Sequence, residues 1–242
     1  LKAKLTIKEI PNTKYIWIQD FMPIKNTNSE WLLFKYFPKY LKNPKFRSLI
    51  CDNQNICKEL GIEYSYINLI LDGGSIVYQD DLYFVSERIL SDNYTLSKTQ
   101  IIKNIEEIFK TERIILIPEE SNDFTGHLDG VMTILDYKTI LINNFQNPYK
   151  DQIHYILKKY KFNFEILPYN PYTNKTYQSP KGIYINYIKT DKLIFAPIFK
   201  QNEDKLVLSK LQLLYPSLFL IPILCSDLAK AGGLLHCISW EG

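Results

Sequence analysis

Four short stretches carry the residue types that do chemistry: Trp17-Ile18-Gln19-Asp20, Leu71-Asp72-Gly73-Gly74-Ser75, Gly126-His127-Leu128-Asp129 and Gly232-Gly233-Leu234-Leu235-His236-Cys237. A cysteine thiolate is a strong nucleophile, and the covalent adduct it forms can later be opened by water. An imidazole can protonate a leaving group and then take a proton from that water. It needs an acceptor on its far nitrogen to stay in one tautomer. Cys237, His127 and Asp72 supply these three parts. Asp20 and Asp129 can each accept a pair of N–H donors from a planar cation. Taken singly, each has an ordinary structural reading. Asp72-Gly73-Gly74 and Asp129-Gly130 are common turn sequences, and Cys237 beside Leu235 and Ile238 reads as an inert buried thiol.

Their positions in a repeat set them apart. Ser75–Tyr78 and Leu82–Ser86 flank the polar Gln79-Asp80-Asp81 turn of a hairpin. Ser97 then begins a helical pattern, with Ile101, Ile102, Ile105, Ile108 and Phe109 at i, i+3, i+4 spacing, and Arg113–Ile117 reads as a buried strand. The same order predicts strands at Gly126–Leu135 and Thr139–Asn143, a helix over Lys150–Tyr160 and a strand at Phe162–Leu167. After a loop at Pro168–Lys181 it predicts strands at Ile183–Ile188 and Leu193–Pro197, a helix over Glu203–Leu214 and a strand at Leu218–Leu224. A fainter copy comes first: Tyr15–Ile24, Trp31–Phe37, a short helix near Asn55–Leu60, and Tyr64–Leu71. Gly232–Trp240 starts a fifth unit that the alternating Lys2–Ile10 segment could complete.

Equivalent points fall near Trp17, Gly74, His127, Tyr184 and Leu235. A ββαβ unit cannot bury its sheet alone, and a closed ring of five would solve that. The expected fold is therefore α/β, a five-bladed pseudo-fivefold ββαβ propeller in a single domain spanning residues 1–242, with the chain ends sharing one blade. The ends of the first strands would then converge on one axis. Asp20, Asp72, His127 with Asp129, Asn186 and Cys237 lie at those ends.

Composition narrows the function classes. At 46% hydrophobic and 23% charged, the 242 residues are those of a globular chain rather than a disordered one. A net charge of +3 argues against nucleic acid, for which a clustered basic face is expected. No apolar run reaches the roughly 18 residues of a membrane helix. The densest, Leu218 to Cys225, is interrupted by Pro222 and reads as a buried strand. Cys51, Cys57, Cys225 and Cys237 are wrongly spaced for a zinc site, and with three His no structural metal is expected. The first three read as small buried apolar groups. Localisation reads as cytoplasmic, with export left open because the chain begins at Leu1 without a Met.

Together and in this order, the four stretches resemble the agmatine deiminase and bacterial peptidylarginine deiminase family, guanidino-group-modifying enzymes of the pentein fold. The resemblance implies a hydrolase that converts a guanidino group to a ureido group, releasing ammonia through a covalent thiouronium, without cofactor or metal. Cys237 would be the nucleophile, His127 the acid and base, and Asp72 its partner. Asp20, Asp129, Asn186 and Trp17 would bind substrate. Agmatine is the first expected substrate, in a putrescine-forming step, and peptidyl-arginine the second, with a homodimer left open. Free arginine is disfavoured because its α-carboxylate calls for an Arg fork; Arg47 and Arg88 could reach the site only through the fold. An amidinotransferase using the same intermediate, or a silent propeller that binds a guanidinium ligand or a protein, are the alternatives. Three departures from the family pattern stand out. Gln19 replaces the Arg of WxRD, Ala231 replaces the first Gly of GGGxxHC, and Asp72 replaces a Glu, shortening its reach to His127 by about 1 Å. His236 is expected on the opposite face of a strand from Cys237, and so not as the base.

Overall fold

The computed structural model describes residues 9–121, 123–168 and 179–241. It contains four three-stranded sheets, each built from consecutive strands in chain order. The first sheet holds β1 (Ile24–Lys25), β2 (Trp31–Lys35) and β3 (Ser65–Ile70); the second holds β4 (Ile76–Gln79), β5 (Leu82–Ser86) and β6 (Ile114–Ile117). The third holds β7 (Met132–Asp136), β8 (Thr139–Ile142) and β9 (Asn163–Ile166); the fourth holds β10 (Ile188–Lys189), β11 (Leu193–Ile198) and β12 (Phe219–Leu224). In every sheet the first pair is antiparallel and the second parallel. A parallel pair needs a crossover, and a helix supplies each one.

Between short turn helices α1 (Ile18–Phe21), α3 (Arg88–Asp92) and α7 (Ser226–Lys230), the crossovers are α2 (Asn53–Leu60), α4 (Lys98–Phe109), α5 (Tyr149–Lys159) and α6 (Glu203–Leu214). Their register is legible in the chain. Ile101, Ile105 and Phe109 of α4, and Tyr149, Ile153 and Leu157 of α5, are buried at i, i+4, i+8, a stripe facing the sheet. Ser97 caps α4 in a reciprocal capping box with Gln100. Asp52 accepts from the Asn55 N–H at the start of α2, and Gly61 ends that helix at φ 70°, where a side chain would be strained.

The first strand of the second unit, β4, is as long as the sequence predicts, but those of the other three units are shorter. Only Ile24–Lys25, Met132–Asp136 and Ile188–Lys189 of these pair as strands, while the residues before them form turns. Gly232–Trp240 likewise contains no strand. The physical reason is that backbone groups of these turns bond to the neighbouring unit instead of to their own ladder. Residues 2–8 of the Lys2–Ile10 segment and most of the Pro168–Lys181 loop lie outside the described residues. A second correction concerns β12. Expected to be buried, it is the edge of its sheet, and Phe219 and Leu224 are 73% and 50% exposed. Among the described residues no helix is long and apolar enough to cross a membrane.

Candidate active site

The turns that precede the first strands are stitched to one another in a ring. The Gln19 side-chain amide donates to Gly73 O at 3.5 Å. Leu128 N–H and Asp129 N–H both donate to Gly74 O, at 2.7 and 3.3 Å. Asn186 Nδ2 donates to Asp129 O at 3.3 Å, and His236 N–H donates to Asn186 Oδ1 at 3.0 Å. Gln19 N–H donates to Cys237 O at 3.2 Å and returns to the start. Each link joins segments about 50 residues apart or more, so the reactive side chains are placed by hydrogen bonds between repeats, through backbone groups and the Gln19 and Asn186 side chains.

The glycines of the four stretches are there for close approach. A Cβ on Gly74 would stand 2.3 Å from His127 Nδ1, and one on Gly233 would stand 2.4 Å from the Trp17 indole. A Cβ on Gly73 would stand 2.0 Å from Gln19 O. The imidazole thus lies flat on one Gly and the indole on another.

Six of the seven side chains expected from sequence meet in two neighbouring trios. Buried His127 stands between two carboxylates, with Nε2 3.2 Å from Asp72 Oδ2 and Nδ1 3.7 Å from Asp20 Oδ1. Asp72 therefore reaches the imidazole despite its missing methylene, and its second oxygen accepts from Ser75 Oγ. Cys237 Sγ lies 3.7 Å from Asp129 Oδ2 and 3.5 Å from Asn186 Oδ1. Trp17, 5% exposed, is the seventh. It forms part of the wall of a cavity of about 940 Å³ shared with Asp20, His127 and Cys237.

The charges of this cluster are set by burial and by one another. Burial opposes a charged imidazole, but Asp72, Asp20 and Asp129 outweigh it and hold His127 as a cation, with its pKa raised to about 10. Burial raises Asp72 too; the His127 charge and hydrogen bond, then Arg88 and Ser75, outweigh it and keep Asp72 well below the usual carboxylate range. Burial lifts Asp20 to about 7, opposed by His127 and by a Tyr40 hydrogen bond and aided by Asp72 and Asp129. Burial, then Asp129 and Asp20, pushes the Cys237 thiol well above its ordinary value. The site thus holds a protonated thiol and an imidazolium that line the same cavities. Among the described residues no group of three or more His, Cys, Asp or Glu side chains is arranged to hold a metal ion.

The structure adds three residues. His236 is in a turn, not a strand, and its Nδ1 lies 3.0 Å from Asp129 Oδ2, the oxygen that also faces Cys237. It fixes the carboxylate. Tyr40 donates its hydroxyl to Asp20 Oδ2 at 3.2 Å. Arg88, which could reach the site only through the fold, does so: it is 3% exposed and borders the same cavity, with Nε 3.0 Å from Asp92 Oδ2. The sequence marks the His236-Cys237 pair but reads it as strand; Tyr40 and Arg88 carry no local signal.

This fold is that of known enzymes. C. jejuni agmatine deiminase superposes with a TM-score of 0.74 at 24% identity, over 92% of this chain and 71% of that one. A cysteine-to-serine variant of that enzyme with substrate bound gives 0.73 at 22% identity, over 91% and 71%. The agmatine deiminase of Enterococcus faecalis gives 0.73 at 18% identity, over 92% and 73%. The family model of Porphyromonas-type peptidyl-arginine deiminases matches residues 3–242, and the chain belongs to that family.

Proposed function

We propose that the protein is a cysteine-dependent hydrolase that converts a guanidino group to a ureido group, with agmatine as first substrate and peptidyl-arginine as second. The observation that carries this is a pair of cavities that share His127 and Cys237, one lined also by Asp20 and the other by Asp129 and Asn186, so that a thiol, an imidazole and two carboxylates come together from segments spread over residues 20–237. Asp20 and Asp129 accept the N–H donors of the substrate cation and hold its plane. That cation also offsets the carboxylate repulsion that keeps Cys237 protonated, so substrate helps to ionise its own nucleophile.

Cys237 gives up its proton to solvent as the cation binds, and the thiolate bonds to the guanidino carbon, giving a tetrahedral adduct. His127 gives a proton to one amino group, the C–N bond breaks, and ammonia leaves a thiouronium. A water molecule then loses a proton to the now neutral His127 and adds to the same carbon. The C–S bond breaks, releasing the ureido product and returning the thiol. Asp72 keeps the imidazole in place through both halves, while Asn186 and Trp17 shape the pocket around the guanidino group.

The ring of inter-repeat hydrogen bonds supports a single domain of five units around one axis, with the ends of the chain sharing the fifth. The active-site turns would then sit at that axis. The deciding experiment incubates the protein with agmatine, a peptidyl-arginine and free arginine while measuring ammonia and ureido product. Ammonia with ureido product from agmatine or the peptide supports the proposal. Neither product, with Cys237→Ser indistinguishable from wild type, overturns it.

A further inference from the structure

Asp20 is in an awkward place for a residue that must be negatively charged. It is 5% exposed, and Asp72 and Asp129 are close enough to oppose its ionisation. His127 helps, but its Nδ1 is 3.7 Å from Asp20 while its Nε2 is 3.2 Å from Asp72, so the imidazolium is committed more closely to the other carboxylate. Among the described residues the one neutral donor to the Asp20 carboxylate is the Tyr40 hydroxyl, 3.2 Å from Oδ2.

Tyr40 lies in the 3-10 turn Lys39–Leu41, outside every repeat motif, and its ring is held on two sides. The Arg88 guanidinium carbon sits 4.8 Å over the ring centroid, and the His127 ring meets Tyr40 edge-on with centroids 5.8 Å apart. A cation over an aromatic face is attracted to it, more strongly when desolvated. Arg88 is buried, anchored through Nε to Asp92, and its Nη1 and Nη2 have no hydrogen-bond partner among the described residues. A buried guanidinium with both Nη unpartnered is costly, which calls for a role. Here its unpaired end spends its charge on the Tyr40 face and on Asp72.

We infer that Tyr40, held in place by the Arg88 guanidinium, is a positioning residue for cation binding: its hydroxyl keeps Asp20 oriented and ionised beside His127. A guanidino group entering the cavity then meets a carboxylate rather than a carboxylic acid. The inference rests on the proposed guanidino-binding function. Asp20 faces charges from several elements: His127, Asp72, Asp129 and, more distantly, His236. The Cys237 thiol and the Tyr15 and Tyr36 phenols also lie within its field. With the balance at about 7, loss of one hydrogen bond moves Asp20 across neutral pH.

The test is Tyr40→Phe, which keeps the ring and removes only the hydroxyl. Labelling of Cys237 by 2-chloroacetamidine, a small amidinium cation, is followed by mass spectrometry from pH 5.5 to pH 9. The acid limb should move up by roughly one pH unit, so that labelling falls about tenfold on the acid side and is almost unchanged at the alkaline end. Arg88→Met should shift it the same way, and Arg88→Lys should restore it. An unmoved limb, or an equal loss at every pH, overturns the inference. If Tyr40→Phe does not fold, Arg88→Met alone carries the same expectation. Titration of the Asp20 carboxyl by 13C NMR in wild type and variant decides without any reaction: a raised midpoint supports the inference and an unchanged one overturns it. A wild type that shows no preference for the cation over iodoacetamide would count against the functional proposal, while the NMR result would still judge Tyr40.

Discussion

Replacing Gly74 by Ala would place a methyl carbon 2.3 Å from His127 Nδ1 and 2.7 Å from both Cγ and Cε1, in effect inside the ring face. Opening the closest of these to an ordinary contact of about 3.4 Å requires the imidazole to move by roughly 1 Å. It has no free direction. Nε2 is held 3.2 Å from Asp72, and the ring is packed edge-on to Tyr40. A displacement of about 1 Å in a catalytic group costs on the order of 10²-fold in rate. Overpacking of this size costs about 1–3 kcal/mol in stability. Gly74→Ala should therefore lower kcat for agmatine roughly a hundredfold while the protein still folds, as judged by its thermal melt. Gly130→Ala is the control, because its added carbon would lie 3.7 Å from Ile183, an ordinary contact. Its kcat should stay within about threefold of wild type. A Gly74→Ala enzyme that is folded and within threefold of wild type would refute the claim that His127 is positioned by that close approach.

Other outcomes follow from the same charges. A haloacetamidine should inactivate wild type much faster than iodoacetamide of similar size, and Asp129→Asn should remove that preference; equal labelling of Cys51, Cys57 or Cys225 would contradict the assignment of Cys237. His127 has a folded pKa of about 10 against about 6.5 unfolded, so its contribution to stability is complete below pH 6.5 and is lost as pH rises through 10. The melting temperature should fall over that window, and His127→Asn should flatten the fall. His236, with its own pKa raised because Asp129 outweighs burial, helps keep Asp129 below the usual carboxylate range. His236→Asn should raise KM for a cationic substrate more than it lowers kcat, as measured by initial rates. Asp72→Asn should do the reverse, lowering kcat with KM nearly unchanged, because it acts through His127 rather than on the substrate.

The regular elements were legible because their causes are local. The i, i+4 stripe of α4 and its Ser97 cap, the Leu82–Ser86 strand and the Glu203–Leu214 helix all depend on neighbours within a few residues, so sequence alone determined their type and nearly their bounds. The chemistry-bearing side chains were legible for the same reason, since a thiol, an imidazole and paired carboxylates recur at one point of a repeat. The shape of the segments that carry them was not. Alternating apolar residues before β1, β7 and β10 read as strand, but N–H groups before β1 and β7 go to carbonyls of a neighbouring repeat, as Leu128 does to Gly74 O, and before β10 the Asn186 side chain makes such bonds. A partner some fifty residues away leaves no local pattern.

Tertiary structure alone also decided the second layer of the site. Tyr40 comes from an irregular turn of the first unit, Arg88 from a short helix after the second hairpin, and Asp92 from the far end of that helix. Each is unremarkable where it stands in the chain. They matter because a buried carboxylate near two others needs donors and countercharge, and any element the fold brings within about 5 Å can supply them. The sequence by itself determined which groups could react, and only the packing of the repeats decided which neighbours set their charge.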